Sequence, residues 1–316
     1  MNKSSRILVA GSTGLIGSAF SKYFKNHNFN KVLYTSSNEL DLTRRDDVID
    51  FFRRYKPEYV FLTAGKVAGI LENNTYPADF IQKNLVIQSN VFEVSSINNV
   101  RKLVFYCSSC MYPKKSKQPM SEEFLLTGIP EPTSISYAIA KLSGLYSCLA
   151  YNRQLSNQIY IPVIPNSAYG PHDNFDPDSA HVLSSLIYKF FYAKINNSKE
   201  VILWGSGKPK REFIFVDDIV DASIFLIKKN LEYLPLNIGS GDELSIKLLA
   251  MMIAKKIGFK GKILWDKTKP DGAMRKLLDS KKIRELGWKP KIKIDKGLDL
   301  TIEWFYNNYD QKIKRK

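Results

Sequence analysis

Cysteine is scarce: Cys107, Cys110 and Cys148 are the only three in a chain of 316 residues. Three thiols in a chain this long do not make the disulfide framework of a small secreted domain, so a reducing cytoplasm is the expected setting. The pair Cys107-x-x-Cys110 has no histidine ligands beside it, which argues against a zinc site. Strand-end cysteines this close also seldom meet disulfide geometry. No apolar stretch reaches the roughly twenty residues of a membrane span. The apolar run after Met1 breaks at Gly11, too soon for the core of a signal peptide. Acidic residues are few, 31 against 47 lysines and arginines, leaving a net charge of +16. Such a surface suits nucleic acid, an anionic membrane face or a phosphate-rich small molecule, or is a solvated lysine-rich exterior. Lysine runs such as Lys281-Lys282-Ile283-Arg284 and Lys312-Ile313-Lys314-Arg315-Lys316 favour the last. Neither nucleic acid nor membrane is expected as a partner.

Hydrophobic content of 44% and charged content of 25% are ordinary for a globular protein with an ample core. The first half alternates short, β-branched, nearly continuous apolar segments (6–10, 31–35, 58–63, 102–107, 159–164) with helix-length ones (15–27, 45–55, 78–98, 136–156). That rhythm predicts an α/β fold, a Rossmann-type doubly wound parallel sheet covered on both faces. Ligands of such sheets sit beyond the carboxyl ends of the strands. After Asn166 the rhythm changes, with helices expected near 179–194, 217–228 and 244–257, strands at 199–203 and 213–216, and two helices around Gly287-Trp288-Lys289-Pro290. The expected division is a cofactor-binding domain over 1–166 with a return segment near 213–240. A smaller mixed α/β substrate domain takes 167–212 and 241–316.

Three motifs fall at strand ends. Gly11-Ser12-Thr13-Gly14-Leu15-Ile16-Gly17 follows the first strand, with G-x-x-G-x-x-G spacing that lets a pyrophosphate approach a helix start. Ser108 follows the fourth strand, and Tyr137-x-x-x-Lys141 puts a phenol and an ammonium one helical turn apart. An ammonium beside a phenol favours the phenolate, so the tyrosine can pass a proton. Together these groups imply hydride transfer between a nicotinamide cofactor and a carbonyl. At the end of the second strand, Thr35-Ser36-Ser37-Asn38 has neither an acid nor an arginine. The missing carboxylate removes the main repulsion against a 2′-phosphate, so NADPH (NADP+) is the expected cofactor.

The chain is similar to the extended short-chain dehydrogenase/reductases and specifically resembles the GDP-L-fucose synthase family. The resemblance runs over nearly the whole length, through Asn73-Asn74-Thr75-Tyr76-Pro77-Ala78-Asp79-Phe80-Ile81, Ser108-Ser109-Cys110-Met111-Tyr112-Pro113-Lys114, Gln118-Pro119-Met120 and Tyr137-Ala138-Ile139-Ala140-Lys141. It continues in Gly170-Pro171-His172-Asp173-Asn174-Phe175, Trp204-Gly205-Ser206-Gly207, Arg211-Glu212-Phe213, Lys269-Pro270-Asp271-Gly272 and Arg275-Lys276-Leu277-Leu278-Asp279. It implies a GDP-4-keto-6-deoxy sugar as substrate, epimerised at C3 and C5 and reduced at C4. The reductase roles go to Ser108, Tyr137 and Lys141, and the epimerase acid and base to Cys110 and His181. The cofactor is placed against Gly11, Thr13, Gly14, Leu15, Ile16 and Gly17, then Ser36, Ser37, Asp41 and Leu42. Further cofactor contacts fall on Ala64, Lys66, Lys141, Pro165, Ser167, Ala168 and His181. Lys189, Trp204, Arg211 and Asp271 take positions that hold the GDP-sugar, with lysine at 189 where arginine is common. A homodimer through helices 78–98 and 136–156 is also implied.

Several segments depart from the family pattern: Pro165-Asn166-Ser167-Ala168-Tyr169, Ser134-Ile135-Ser136, Ala180-His181-Val182-Leu183-Ser184-Ser185 and Lys66-Val67-Ala68-Gly69. They bracket the sugar while the nucleotide-holding stretches remain, which points to an altered hexose part or to drift within an ordinary fucose synthase. The rivals are a reductase of a related GDP-4-keto-6-deoxy-heptose that follows a separate epimerase, an epimerase that keeps its cofactor, and a non-catalytic NADP-binding regulatory protein. The intact Ser–Tyr–Lys set argues against the last.

Overall fold

The computed structural model describes residues 1–229, 231, 235–269 and 271–313; Pro270 and the end of the basic tail, 314–316, lie outside them. In chain order the first elements are β1 (Ile7–Ala10), α1 (Leu15–Asn26), β2 (Val32–Thr35), α2 (Arg45–Tyr55), β3 (Tyr59–Leu62), α3 (Ile70–Thr75) and α4 (Pro77–Ile97). Next come β4 (Lys102–Tyr106), α5 (Ile135–Gln154), β5 (Tyr160–Pro165), β6 (Ser167–Tyr169), α6 (Val182–Ile195), β7 (Glu200–Trp204) and β8 (Lys210–Phe215). The remainder is α7 (Val216–Ile227), β9 (Leu236–Ile238), β10 (Glu243–Ser245), α8 (Ile246–Ile257), β11 (Lys262–Asp266), β12 (Arg275–Lys276), α9 (Lys281–Glu285) and α10 (Ile294–Ile313).

The main sheet has six parallel strands in the order β2-β1-β3-β4-β5-β9. Its strands are apolar at nearly every position, Thr35, Lys102 and Asn237 excepted, because both faces are covered. Leu8, Val60, Leu103 and Ile164 enter one core, while Ile7, Phe61, Val104 and Val163 enter another on the opposite side. On the second face Phe20 and Phe24 of α1 pack on Phe61, with ring centroids 4.2 and 5.7 Å away. Burying each such ring stabilises the layer by about 1.5–3 kcal/mol. The strand order reverses between β1 and β3, the point beyond whose carboxyl ends sheets of this kind bind their ligands. The expected doubly wound parallel sheet is therefore present, with β9 as a sixth strand that no sequence signal marked.

A third core joins α6, α8 and α10 with β7 and β8 through residues such as Ile187, Phe190, Ile253, Leu298 and Ile302. Ser245 caps α8 by accepting Leu248 N–H at 3.1 Å, and Gly258 ends the helix at φ +80°. Around β8 lies a small mixed sheet: β10 antiparallel, β6 and β12 parallel. β7 and β11 form a separate parallel pair. Strand β8 begins at Lys210 rather than 213, so Arg211 and Glu212 are strand residues with fixed directions. Helix α6 begins at Val182, which leaves His181 at the helix entrance.

Candidate functional site

The glycine loop is shaped by two contacts that no side chain could occupy. Gly11 has φ +90°, and a Cβ there would lie 2.6 Å from Ala64 N; a Cβ on Gly17 would lie 2.1 Å from Gly11 O. Gly14 differs: its absent Cβ would meet only Gly11 O, at 3.7 Å, and it precedes α1 without any side-chain cap. Two glycines thus bring the turn down on β3, and the third leaves the free amides of α1 open to an anion. This cradle fits a dinucleotide pyrophosphate. Thr13 is exposed, while Leu15 and Ile16 pack at the edge of the core.

The other expected cofactor residues are placed unevenly. Thr35 O accepts Gly11 N–H at 2.8 Å and Ser12 N–H at 3.0 Å, which sets Ser36 and Ser37 beside the glycine loop. Asp41 turns its carboxylate onto Thr43, accepting N–H at 2.9 Å and Oγ1–H at 2.6 Å, and Leu42 is buried with its carbonyl on Asn90. The Lys66 ammonium reaches Asp79 at 3.1 Å rather than standing free. Pro165 closes β5, and Ser167 and Ala168 open β6.

The chemical centre lies where α5 crosses the end of β4. The close approach depends on Gly144, whose Cβ would sit 2.5 Å from both Gln88 Oε1 and the Phe105 ring. Lys141 Nζ donates to Tyr106 O at 2.9 Å and lies 4.8 Å from the Phe105 ring centroid and 5.9 Å from that of Tyr137. Burial lowers the Lys141 ammonium to about 8. Tyr137 moves the other way from the phenolate expected of the Tyr–Lys pair. Burial, then the Cys110 charge, pushes its phenol up, against a hydrogen bond with Ser108. A tyrosine that keeps its proton at neutral pH is a proton donor rather than a base. Asn84, buried on α4, joins this corner: a Cβ on Gly65 would lie 2.7 Å from Asn84 Oδ1 and 3.7 Å from Lys141 Nζ.

Cys110 sits in the helical turn Ser109–Met111, and its N–H donates to Ser108 Oγ at 3.2 Å. Lys276 Nζ lies 3.7 Å from its Sγ. Burial works to raise the thiol, but the Lys276 charge and hydrogen bonds from Ser108, Lys276 and Ser134 outweigh it, so the thiol is lowered. Cys107, three residues away and buried, is pushed up to about 12 by burial. Lys276 belongs to the Arg275–Asp279 stretch that carries the resemblance, but nothing in the sequence gives it a role at the thiol. It is brought in by the short strand β12, whose register sets Lys276 beside Arg211. His181 is exposed at the entrance to α6, and its ring makes no hydrogen bond among the described residues.

A second group of side chains flanks this centre. Lys189 Nζ and Lys269 Nζ lie 5.9 and 5.6 Å from the ring centroid of Trp204, which is exposed. Asp271 accepts Ser206 N–H at 2.6 Å and Ser206 Oγ–H at 2.7 Å, and its charge acts on Arg211. Beneath them Glu212 is fully buried and accepts Gly241 N–H at 2.6 Å, Leu278 N–H at 3.0 Å and the side-chain amide of Asn166. Asn166 Oδ1 in turn accepts Ser109 Oγ–H at 3.1 Å. One carboxylate therefore ties the Cys110 turn to Arg211 and to the strand bearing Lys276.

Residues 7–239 match the NAD dependent epimerase/dehydratase family. Over 307 residues, 97% of this chain and 95% of the relative, the sequence is 47% identical to GDP-L-fucose synthase 1 of Arabidopsis thaliana. Among solved structures, a GDP-6-OMe-4-keto-L-xylo-heptose reductase from C. jejuni is similar with a TM-score of 0.92 and 35% identity, over 98% of this chain and 99% of that one. A GDP-mannoheptose C4 reductase from Campylobacter jejuni with NADP bound gives a TM-score of 0.89 and 36% identity, over 97% and 99%.

Proposed function

The chain belongs to the NAD dependent epimerase/dehydratase family and within it to the GDP-L-fucose synthase family, and from that premise we propose that it reduces C4 of a GDP-4-keto-6-deoxy sugar, with epimerisation at C3 and C5. NADPH, when bound in the glycine cradle, supplies the hydride. Tyr137 donates its phenolic proton to O4, Ser108 orients the carbonyl, and the Lys141 ammonium stabilises the phenolate left behind. The 4-ketone acidifies the protons at C3 and C5. Cys110 as thiolate removes one such proton, and His181 delivers one to the opposite face. Trp204 with Lys189, Lys269, Arg211 and Asp271 holds the GDP moiety, which assigns a ligand to part of the basic charge. The parallel sheet carries the cofactor, and segments 167–212 and 241–316 carry the sugar nucleotide.

The observation that carries this reading is the convergence of Tyr137, Ser108 and a lowered thiol at Cys110 on one strand end. Incubation with GDP-4-keto-6-deoxy-mannose and NADPH in D2O, followed by NMR of the product, tests it. GDP-L-fucose with deuterium at C3 and C5 supports both activities; a chain that turns over no GDP-keto sugar sinks the reading.

A second reading, reduction alone on a GDP-4-keto-6-deoxy-heptose, draws on the two similar heptose reductases and on the ring of His181, which makes no hydrogen bond among the described residues. A reduced product without deuterium at C3 or C5 selects it. We also propose a homodimer through α4 and α5, whose exposed Ile97, Ile139 and Tyr146 offer an apolar outer face, and a cytoplasmic setting in keeping with three free thiols.

A further inference from the structure

Glu39 lies beyond the end of β2, yet its carboxylate folds back onto that end. Oε2 accepts Ser36 N–H at 2.7 Å and Ser36 Oγ–H at 2.8 Å. The turn is closed by Glu39 N–H and Leu40 N–H on Ser36 O, at 3.2 and 3.0 Å. One residue earlier, Thr35 O holds the first two amides of the glycine loop. Carboxylate, strand end and phosphate cradle are thus one hydrogen-bonded unit. The sequence shows no acid immediately after β2; the chain supplies one by a turn.

This corner of a dinucleotide fold receives the adenosine ribose. An acid there accepts from a 2′-hydroxyl, and a cation there accommodates a 2′-phosphate. The Ser36 hydrogen bonds hold Glu39 below the usual carboxylate range, so it is charged at neutral pH. Neither 11–17 nor 35–40 contains a lysine or arginine to offset it. Of the nearest cations along the chain, Lys31 stands at the opposite, amino end of β2, while Arg6 is on Glu58 at 3.8 Å, Lys22 on Asp217 at 2.8 Å, Arg44 on Asp47 at 3.3 Å and Arg45 on Glu93 at 2.6 Å.

We propose that Glu39, folded onto Ser36, is a specificity-determining residue for the cofactor, and that it lets this chain take NADH alongside NADPH. The inference rests on the reading that the glycine cradle binds a nicotinamide dinucleotide. Isothermal titration calorimetry with NAD+ and with NADP+ tests it on the wild-type chain, Glu39→Gln and Ser37→Arg. Glutamine can still accept Ser36 N–H, so the turn is kept while the charge is removed. The wild-type chain is expected to bind the two dinucleotides within about tenfold of each other. Glu39→Gln is expected to shift the ratio toward NADP+ by about fivefold or more, and Ser37→Arg to shift it the same way with Glu39 still present. Wild-type binding of NADP+ more than about a hundredfold tighter than NAD+, or a ratio that Glu39→Gln leaves unchanged, overturns the proposal alone. Failure of the wild-type chain to bind either dinucleotide overturns it together with the nicotinamide reading beneath it.

Discussion

Lys276 Nζ stands 3.7 Å from Cys110 Sγ, on a two-residue strand that meets the active-site turn only through the fold. Removed by 166 positions in sequence, the two groups form a charge pair that decides the state of the thiol. Lys276 is the largest of the causes that oppose burial at Cys110, and at Cys107 burial prevails. Cys110 is thus set apart from Cys107 by the Lys276 ammonium together with the Ser108 and Ser134 hydrogen bonds.

Lys276→Met is expected to raise the Cys110 pKa, which is lowered in the wild type. The rate of thiol alkylation by iodoacetamide, followed against pH by mass spectrometry of the Cys110 peptide, should move its midpoint upward. Deuterium incorporation into the sugar should fall by about 10²-fold or more, the usual weight of a general base. An unshifted alkylation profile would show that Lys276 does not set the thiol.

Why is the role of this lysine hidden in the sequence while those of Tyr137 and Lys141 are not? The latter are four apart on one helix, and helical geometry converts that spacing into proximity. The same holds for Gly11 to Gly17, and for the strands, whose apolar runs announce burial on both faces. Lys276, Asn84 and Glu212 reach the site through strand register and helix crossing, which local spacing does not encode. The carboxylate of Glu39 is hidden for a related reason. The residues after β2 read as acid-free, and only the turn closed on Ser36 O returns a carboxylate to that point. The phenol was legible as a residue but not in its protonation, because burial outweighs the ammonium 5.9 Å from its ring.

The glycines of the cradle should separate by function. Gly17→Ala puts a Cβ 2.1 Å from a backbone carbonyl, so the loop must shift, and both thermal stability and dinucleotide binding should drop. Gly14→Ala meets nothing closer than 3.7 Å and should leave the melting temperature unchanged or slightly raised. A methyl group in the proposed phosphate cradle would crowd the ligand, so NADPH affinity should still weaken by about tenfold in fluorescence titration, about 1.4 kcal/mol. Equal effects of the two variants on melting would contradict this division.

In the proposed mechanism Lys141 sets a pH limit on reduction. Its ammonium is lowered by burial to about 8, so above that pH the amine would lose its charge and its proposed hold on the Tyr137 phenolate. The rate constant for reduction should decline with unit slope above about pH 8. Stability changes in the opposite sense. Between about 8 and the ordinary lysine value of about 10.4 the unfolded chain binds more protons at this site, so the Lys141 contribution favours folding increasingly as pH rises. Urea midpoints for wild type and Lys141→Met, compared from pH 7 to 10, should diverge in favour of the wild type as activity falls.

Glu212 is the test of whether the centre is held from below. It is fully buried, and burial raises its pKa while the Asn166 amide and the N–H groups of Leu278 and Gly241 favour the charged form. Glu212→Ala leaves those donors without a partner and opens a void, at an expected cost of about 3–5 kcal/mol in chemical denaturation. Glu212→Gln keeps the volume but turns an amide N–H toward a backbone N–H, so it should cost less, about 1–3 kcal/mol. Because the carboxylate links Ser109 through Asn166 to the segment bearing Lys276, the glutamine variant should also raise the pH midpoint of Cys110 alkylation. A variant that loses stability while keeping the wild-type alkylation midpoint would assign Glu212 to folding alone.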